Sequence, residues 1–141
     1  MPTSAERWAT DTSVAVAALD GSHAAHVVCR DAVRTRRPVL AGHAAFETFS
    51  VLTRLPGQLV IDAPTAQRII DAVFPRTCWL DHDAADDLLR RLGAVGITGG
   101  AVYDALVGEA ARTNDCRLLT RDLRAKRTYD LLGVEYELIG V

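Results

Sequence analysis

Cysteine is scarce in this chain, and its spacing excludes two classes of small protein. Cys29, Cys78 and Cys116 lie far apart in 141 residues and form no CxxC pair, so neither a disulfide framework nor a cysteine zinc site is predicted. We expect all three to be small, buried side chains. His23 and His26 are spaced for one helical face. Without an HExxH motif or a second ligand cluster, they predict a packing role rather than a zinc site.

Long apolar runs and an apolar leader are also missing. The apolar runs are far shorter than a bilayer span, and the segment MPTSAERW has neither a basic lead nor an apolar signal core. Hydrophobic residues make up 49% and charged residues 24% of the chain, a composition typical of globular proteins. We therefore expect a cytoplasmic protein without a membrane partner.

Lysine is almost absent, and the charge balance is slightly acidic. The chain has a formal net charge of -2, and Lys126 is its single lysine. This balance excludes a protein that coats nucleic acid through bulk electrostatics. Clustered arginines suit bidentate contact with phosphate, although such clusters are also typical of solvated faces. The clusters are Arg34, Arg36 and Arg37, then Arg90 and Arg91, then Arg121, Arg124 and Arg127.

The apolar patterning predicts strands that alternate with helices along one domain spanning residues 1–141. Strand-like runs are short and rich in Val, Leu and Ile, and the helical segments end at glycine or proline. We expect strands at 7–10, 38–43, 77–82, 116–120 and 134–139, and helices at 13–19, 24–36, 44–55, 63–74, 83–96, 99–114 and 122–133.

This alternation predicts an α/β protein, a three-layer α/β/α sandwich with a mainly parallel central sheet. The helix at 44–55 is apolar on almost every side and is expected to be buried. In open parallel sheets, ligands collect beyond the carboxyl ends of the strands. The acidic residues at those ends are therefore the first candidates for a functional site.

Four carboxylates fall at this edge of the predicted sheet. Asp11 ends the first strand and Asp122 follows the strand at 116–120, while Glu47 and Asp104 lie near the starts of two apolar helices. Each one alone is explained by capping or by the helix dipole. Together they would repel one another and raise each other's pKa unless a cation lay among them.

Oxygen ligands without histidine or cysteine select Mg²⁺ or Mn²⁺. Such an ion activates a water molecule and stabilises the leaving oxygen of a phosphodiester. The four carboxylates thus predict a metal site for phosphodiester chemistry, with one or two ions.

The remaining acids fit this site less well. Asp81 opens the segment DHDAADDLL, which lacks the glycine and glutamate of an EF-hand loop and is better explained as a helix N-terminus. Glu109 is offset around its helix from Asp104, and we expect it on the surface. The glycine-rich GITGGAVYD suggests a loop that approaches the site closely.

The order of these segments resembles the PIN-domain ribonucleases, and among them the VapC toxins of bacterial type II toxin–antitoxin modules. The resemblance extends from TDTSVAVAAL through AAFETFSVLTRLP and GGAVYDALVGEAARTNDCRLLTRD to YDLLGVEYELI. It implies a Mg²⁺- or Mn²⁺-dependent endoribonuclease whose acidic quartet is Asp11, Glu47, Asp104 and Asp122. In the family the last position is often Asn or Asp, so Asp122 is expected either to bind metal or to orient water.

The resemblance also has implications for supporting residues and for partners. Ser13 and Thr120 match positions where the family often carries hydroxyls beside the metal. A homodimer held inactive by a small antitoxin is implied, and RNA cleavage would inhibit translation and growth. From their position beside the last acid, we expect a phosphate-binding edge formed by Arg121, Arg124, Lys126 and Arg127.

Other classes fit the sequence less well. A haloacid-dehalogenase phosphatase needs Asp-x-Asp after the first strand, where Asp11 is followed by Thr12 and Ser13. A receiver domain needs a lysine at the end of a late strand, and a dinucleotide-binding domain needs GxGxxG after the first strand; both are missing. The remaining alternative is a non-catalytic module of the same fold that binds RNA or protein, although all four acids are retained.

Overall fold

The computed structural model describes residues 6–141, and its strands form one parallel sheet. The five strands of this region are arranged in the order β3-β2-β1-β4-β5, and every pairing is parallel. The strands are β1 (Trp8–Thr10), β2 (Val39–Ala41), β3 (Thr77–Cys78), β4 (Arg117–Thr120) and β5 (Tyr136–Leu138).

Helices connect these strands, as parallel pairing requires. The helices are α1 (Thr12–Leu19), α2 (His26–Arg36), α3 (Ala44–Thr53), α4 (Ala63–Val73), α5 (His82–Val95), α6 (Ala101–Thr113) and α7 (Lys126–Leu132), with a short 3-10 helix at Gly57–Leu59. The predicted order of elements is confirmed throughout. The predicted strand at 77–82 is shorter than expected, because Asp81 caps α5 by accepting a hydrogen bond from the amide of Ala84 at 2.8 Å.

Apolar side chains alternate across the sheet and bury it on both faces. In β4, Leu118 packs in a core with residues of α5, α6 and α7, whereas Leu119 packs in a second core with residues of α1, α2 and α4. Leu40 and Ala41 of β2 divide in the same way. Two cores on opposite faces confirm the predicted α/β/α sandwich. Within residues 6–141, no helix has the length and apolarity needed to cross a membrane.

The cysteines and the first two histidines have the structural roles predicted for them. Cys29, Cys78 and Cys116 are all buried. The His26 ring nitrogen Nδ1 lies 2.9 Å from the carbonyl oxygen of Ala17, and Nδ1 of His23 accepts a hydrogen bond from the amide of Ala25 at 3.0 Å. Hydrogen bonds of both histidines therefore stabilise the connection between α1 and α2.

The prediction of a buried α3 is wrong for one side of the helix. Ala44, Thr48 and Leu52 are buried, but Phe46 is 64% exposed and Phe49 is 36% exposed. Helix α3 packs against α1, α4 and β2, so its other side faces solvent although its residues there are apolar.

The prediction of an exposed Glu109 is also wrong. Its side chain is 1% exposed. The Arg91 guanidinium group donates one hydrogen bond to it at 2.7 Å, and the Arg112 guanidinium group donates two, at 2.6 and 2.9 Å. Burial raises the pKa of Glu109, but the two arginines outweigh it and hold the pKa below its ordinary value. Glu109 therefore joins α5 to α6 and lies in a structural ion cluster, away from any solvent-facing rim.

We predict that Glu109→Ala lowers the free energy of unfolding by about 2–4 kcal/mol, because it leaves two arginines without the acid that pairs them. Urea unfolding measures this loss. Asp87→Ala is the matched control, since Asp87 also pairs with Arg91, at 3.3 Å, but is 54% exposed; its loss should stay below about 0.5 kcal/mol. Equal losses in both variants would contradict a structural role for the buried cluster.

Candidate active site

The candidate site lies where the strand order of the sheet reverses. Strand β1 pairs with β2 on one side and with β4 on the other, so the connections that leave β1 and β4 diverge and open a crevice. The amide of Asp11 donates to the carbonyl of Leu119 at 3.1 Å, which fixes Asp11 beside the end of β4. The sequence-predicted Asp11 and Thr120 therefore meet at one edge.

Asp11 has three hydrogen-bond donors around a buried carboxylate. Its Oδ1 accepts from the Val14 amide at 3.2 Å and from the Ser13 hydroxyl at 2.6 Å, and its Oδ2 accepts from the Tyr129 hydroxyl at 3.1 Å. Asp11 is thus the N-cap of α1, but capping uses only one of these bonds. The others orient the carboxylate.

The burial of Asp11 disfavours its charge. Burial raises the pKa of Asp11 above its ordinary value of 3.8, although hydrogen bonds from Ser13, Thr120, Val14 and Tyr129 oppose the rise. A raised pKa means that the ionised form is stabilised less than it would be in water. A cation nearby would reverse this penalty.

The two predicted hydroxyls organise the turn after β4. The Ser13 hydroxyl, which donates to Asp11, also accepts from the Arg121 amide at 3.0 Å. The Thr120 hydroxyl accepts from the Asp122 amide at 3.1 Å. The Ser13 hydroxyl therefore connects the strand end that carries Asp11 with the turn after β4, and the Thr120 hydroxyl stabilises that turn, which carries Asp122.

Asp122 lies at the mouth of the crevice and contacts one of the predicted arginines. Its Oδ1 accepts from the Arg124 amide at 2.9 Å, and the Arg124 Nε lies 3.6 Å away. The Arg124 side chain is 95% exposed. The Arg121 Nη2 instead donates to the carbonyl of Gly140 at 3.3 Å, so part of the Arg121 guanidinium group is bonded within the fold.

Glu47 and Asp104 approach from the first turns of α3 and α6. Burial raises the pKa of Glu47, with the nearby His43 opposing the rise and Asp11 adding to it. Burial, followed by Asp122, Glu47 and Asp11, raises the pKa of Asp104 to about 6. The other three predicted carboxylates therefore lie close enough to Asp104 to disfavour its charge.

The donor set fits a hard divalent cation. Arg124 is the positive group that lowers the pKa of Asp104, and it does not offset the three neighbouring acids. Among residues 6–141, no three acidic, histidine or cysteine side chains form a preformed metal cage. Mg²⁺ commonly keeps several waters and uses only one or two carboxylates directly, so these spaced oxygen ligands are compatible with it.

Tyr129 is a site residue that the sequence analysis missed. It is 1% exposed, lies in α7 and reaches Asp11. Its ring is packed against Gly108 of α6, where an added Cβ would lie 2.9 Å from the Tyr129 Cδ1. No local pattern could have found it, because the bond to Asp11 joins residues far apart in the chain.

The GITGGAVYD segment ends at Asp104 in the first turn of α6, and the close approach of its loop to the site stays a prediction. Gly99 has a positive φ of 58°, and a Cβ at Gly99 or Gly100 would meet no atom within 4 Å. These glycines provide the turn into α6. A tight contact with another element is made by Gly108, one helix turn beyond Asp104.

Comparison with known proteins agrees with this fold. A PIN domain model matches residues 9–131, so the chain belongs to the PIN domain family. Ribonuclease VapC27 of Mycobacterium tuberculosis is 44% identical over 126 residues, which cover 89% of this chain and 92% of the relative. Ribonuclease VapC40 of the same species is 45% identical over 133 residues, which cover 93% and 98%.

A solved structure shares the fold at low sequence identity. The crystal structure of VapBC2 from Rickettsia felis, bound to a DNA fragment from its promoter, contains a chain that matches with a TM-score of 0.64 and 14% identity. The match covers 94% of this chain and 98% of that one. The resemblance inferred from the sequence is therefore confirmed.

We predict that Tyr129→Phe lowers the free energy of unfolding by about 1–3 kcal/mol at neutral pH, because Asp11 loses its buried hydroxyl donor. Tyr136→Phe is the matched control, since the Tyr136 hydroxyl donates to the exposed Asp130 at 2.8 Å. Its loss should be below about 0.5 kcal/mol. Urea unfolding of both variants checks this, and losses of equal size would contradict the role given to the Tyr129 hydroxyl.

We predict that the contribution of Asp104 to stability falls as pH rises from about 4 to about 6. The folded chain holds the pKa of Asp104 at about 6, above its ordinary value of 3.8, so the folded state binds more protons than the unfolded state between those values. Because the side chain is half-exposed, we expect Asp104→Asn to gain only about 1 kcal/mol at neutral pH.

Urea unfolding across this pH range measures the effect. The control is Asp83→Asn, which neutralises an exposed acid in the first turn of α5. It should retain the pH slope of the wild type, whereas Asp104→Asn should flatten it. The same slope in all three proteins would contradict mutual repulsion at the site.

Proposed function

We propose that this chain is a Mg²⁺- or Mn²⁺-dependent endoribonuclease that acts as the toxin of a type II toxin–antitoxin module. The observation that carries the proposal is that the carboxylates of Asp122, Glu47 and Asp11 lie near that of Asp104 and raise its pKa at the switch point of a PIN fold. Two relatives at 44% and 45% identity, both ribonucleases by name, support the same chemistry.

The proposed ion is held by Asp11, Asp104, Asp122 and Glu47, directly or through water. When bound, it supplies an activated water and stabilises the leaving oxygen of the phosphodiester. The chain's own residues prepare the site: Ser13 and Tyr129 fix the orientation of Asp11, and Thr120 shapes the turn that carries Asp122.

Phosphate contact is proposed for the basic residues beside Asp122. Arg124 and Arg127 are exposed, Lys126 is half-buried at the start of α7, and Arg121 is partly engaged by the C-terminal segment. Exposed arginines bind phosphate with two parallel hydrogen bonds. They therefore offer the RNA backbone a positive edge on a protein whose net charge is -2.

A small antitoxin is the proposed partner, and a groove on the opposite side of the α1 helix fits it. The groove has a volume of about 980 Å³ and an apolar floor that includes Val33, Ile69 and Val73. Its rim carries four basic side chains, which are Arg30, Arg34, Arg37 and Arg76. This chemistry suits an amphipathic segment with acidic edges, and a basic side chain from the same partner would pair with the four carboxylates.

Three further features belong to the proposal. The chain acts as a single domain over residues 1–141, forms a homodimer and works in the cytoplasm, where an unregulated ribonuclease inhibits translation and growth. The second candidate is a non-catalytic module that binds RNA or protein through the same fold. Retention of all four acids favours the enzyme.

We predict that the purified protein cleaves total cellular RNA with Mg²⁺ and not without it. Asp11→Asn and Asp104→Asn should each lose about 100-fold or more of the activity, since each removes a charged oxygen ligand of nearly the same size. Asp83→Asn should cleave like the wild type. Sequencing of the cleaved ends identifies the bond that is cut.

A second readout does not depend on turnover. Mg²⁺ should raise the thermal midpoint of the wild type and of Asp83→Asn but not of Asp104→Asn. Cleavage that survives in Asp11→Asn and Asp104→Asn would contradict the metal site. A protein that binds RNA but cleaves none, with or without metal, would instead support the non-catalytic module.

We predict that expression of this chain alone arrests growth and that co-expression of the neighbouring gene relieves the arrest. Relief should weaken when Arg34→Glu and Arg76→Glu reverse the charge of the groove rim, because an acidic partner is then repelled. Growth arrest by the chain alone should be unchanged in this variant. If the wild type and Asp104→Asn are equally harmless, the toxin assignment is wrong.

A further inference from the structure

Three exposed aromatic rings and the half-buried ring of His43 lie on one side of the candidate active site. We call His43, Phe46, Trp79 and Tyr103 the aromatic shelf. Phe46 is 64%, Trp79 53% and Tyr103 55% exposed, and the His43 side chain is 34% exposed. Large aromatic side chains are usually buried when the fold alone requires them. The chain contains only eight Phe, Trp and Tyr residues, so three of them on one open surface call for a ligand.

The shelf is a connected surface. The rings of His43 and Tyr103 are stacked with centroids 5.4 Å apart and planes 23° apart. Phe46 contacts His43 at a centroid distance of 6.3 Å and Trp79 at 5.6 Å, both with tilted rings. Residues from α3, the end of β3 and α6 thus present adjacent ring faces and edges to solvent.

The shelf also adjoins the proposed metal ligands. The His43 Nε2 lies 3.8 Å from the Glu47 Oε1. Phe46 precedes Glu47 in the first turn of α3, and Tyr103 precedes Asp104 in the first turn of α6. Two of the four carboxylates are therefore carried by the same helix turns as the exposed rings.

The opposite boundary of the site has different chemistry. Asp122 is contacted there by Arg124, whose side chain is 95% exposed. One boundary thus offers positive charge and the other offers ring faces. A single strand of nucleic acid presents the same two chemistries, since its phosphates are anionic and its bases are flat π systems.

We propose that the aromatic shelf stacks unpaired bases of the RNA substrate next to the cleaved phosphate. The substrate is then single-stranded at the cleavage position, because bases paired in an A-form duplex are not free to stack on protein rings. This inference rests on the proposed function and adds a base-binding subsite beside Glu47 and Asp104. It also assigns base contact to the shelf and phosphate contact to Arg124 and Arg127.

The alternative occupant of the shelf is a second copy of this chain. A protein cover would need apolar area, which leucine supplies as well as an aromatic ring does. Base stacking needs the ring itself. Substitution by leucine therefore separates the two occupants, whereas substitution by alanine would weaken both.

Binding is measured in the Asp104→Asn background, so that the RNA is not consumed. The probe is a short single-stranded RNA of mixed sequence, titrated by fluorescence anisotropy. Phe46→Leu combined with Trp79→Leu should weaken binding about 5- to 100-fold, the range expected for the loss of one stacked base. Val27→Leu, at a 59% exposed position on α2, is the matched control and should bind normally.

Two comparisons assign the contact to bases. An abasic oligonucleotide of the same length should bind the Phe46→Leu/Trp79→Leu variant and its Asp104→Asn parent with equal affinity. Arg124→Ala with Arg127→Ala should weaken the binding of both oligonucleotides and reduce the salt slope of log K by about 1.4. Trp79 fluorescence should be quenched by RNA, and the quenching should vanish in Trp79→Phe, which retains only Trp8.

The outcomes separate this inference from the proposed function. If the wild type cleaves RNA with Mg²⁺ but the leucine variant binds single strands and duplexes as its parent does, the shelf inference is wrong and the ribonuclease stands. If Phe46→Ala with Trp79→Ala changes sedimentation from dimer to monomer while the leucine variant keeps both the dimer and RNA binding, the shelf is an interface between copies and the shelf inference is wrong. If the wild type cleaves no RNA, the proposed function itself fails.

Discussion

The buried carboxylate of Asp11 is the constraint on which the site depends. It is held by the Val14 amide, the Ser13 hydroxyl and the Tyr129 hydroxyl, which belong to α1 and α7. The same aspartate begins α1 and is bonded through its amide to the end of β4. A charge buried at the switch point of the sheet therefore makes the geometry of the site inseparable from the packing of the fold.

The surroundings of two acids in α6 shift their pKa values in opposite directions. Glu109 is paired with Arg91 and Arg112, and its pKa is lowered. Asp104 lies among other acids, and its pKa is raised. Arginines neutralise the first acid within the protein, whereas Arg124 does not offset the three acids around the second. Both acids belong to α6, and the contrast supports the proposal that a cation binds beside Asp104.

The sequence predicted the framework well and its details unevenly. Alternating apolar segments and helix-end signals were sufficient for the element order and the parallel sandwich, and the strand-end acids were sufficient to bring Asp11 and Asp122 together. The failures involve tertiary packing: the exposed side of α3, the burial of Glu109 and the Tyr129 bond to Asp11 depend on which surfaces meet. Local pattern carries no information on contacts between distant residues, and an apolar residue reserved for a ligand resembles a core residue in sequence.

Gly108 connects the packing of α6 and α7 to the chemistry of Asp11. A Cβ there would lie 2.9 Å from the Tyr129 ring and 3.0 Å from Val134, so even alanine must displace the tyrosine whose hydroxyl orients the carboxylate. A Gly108→Ala substitution, which adds one buried methyl group, should therefore disturb the orientation of Asp11 without changing any residue of the candidate site. If expression of this chain arrests growth as proposed, a selection for cells that still grow should recover substitutions at Gly108 in the interior of α6 as well as at the acidic residues.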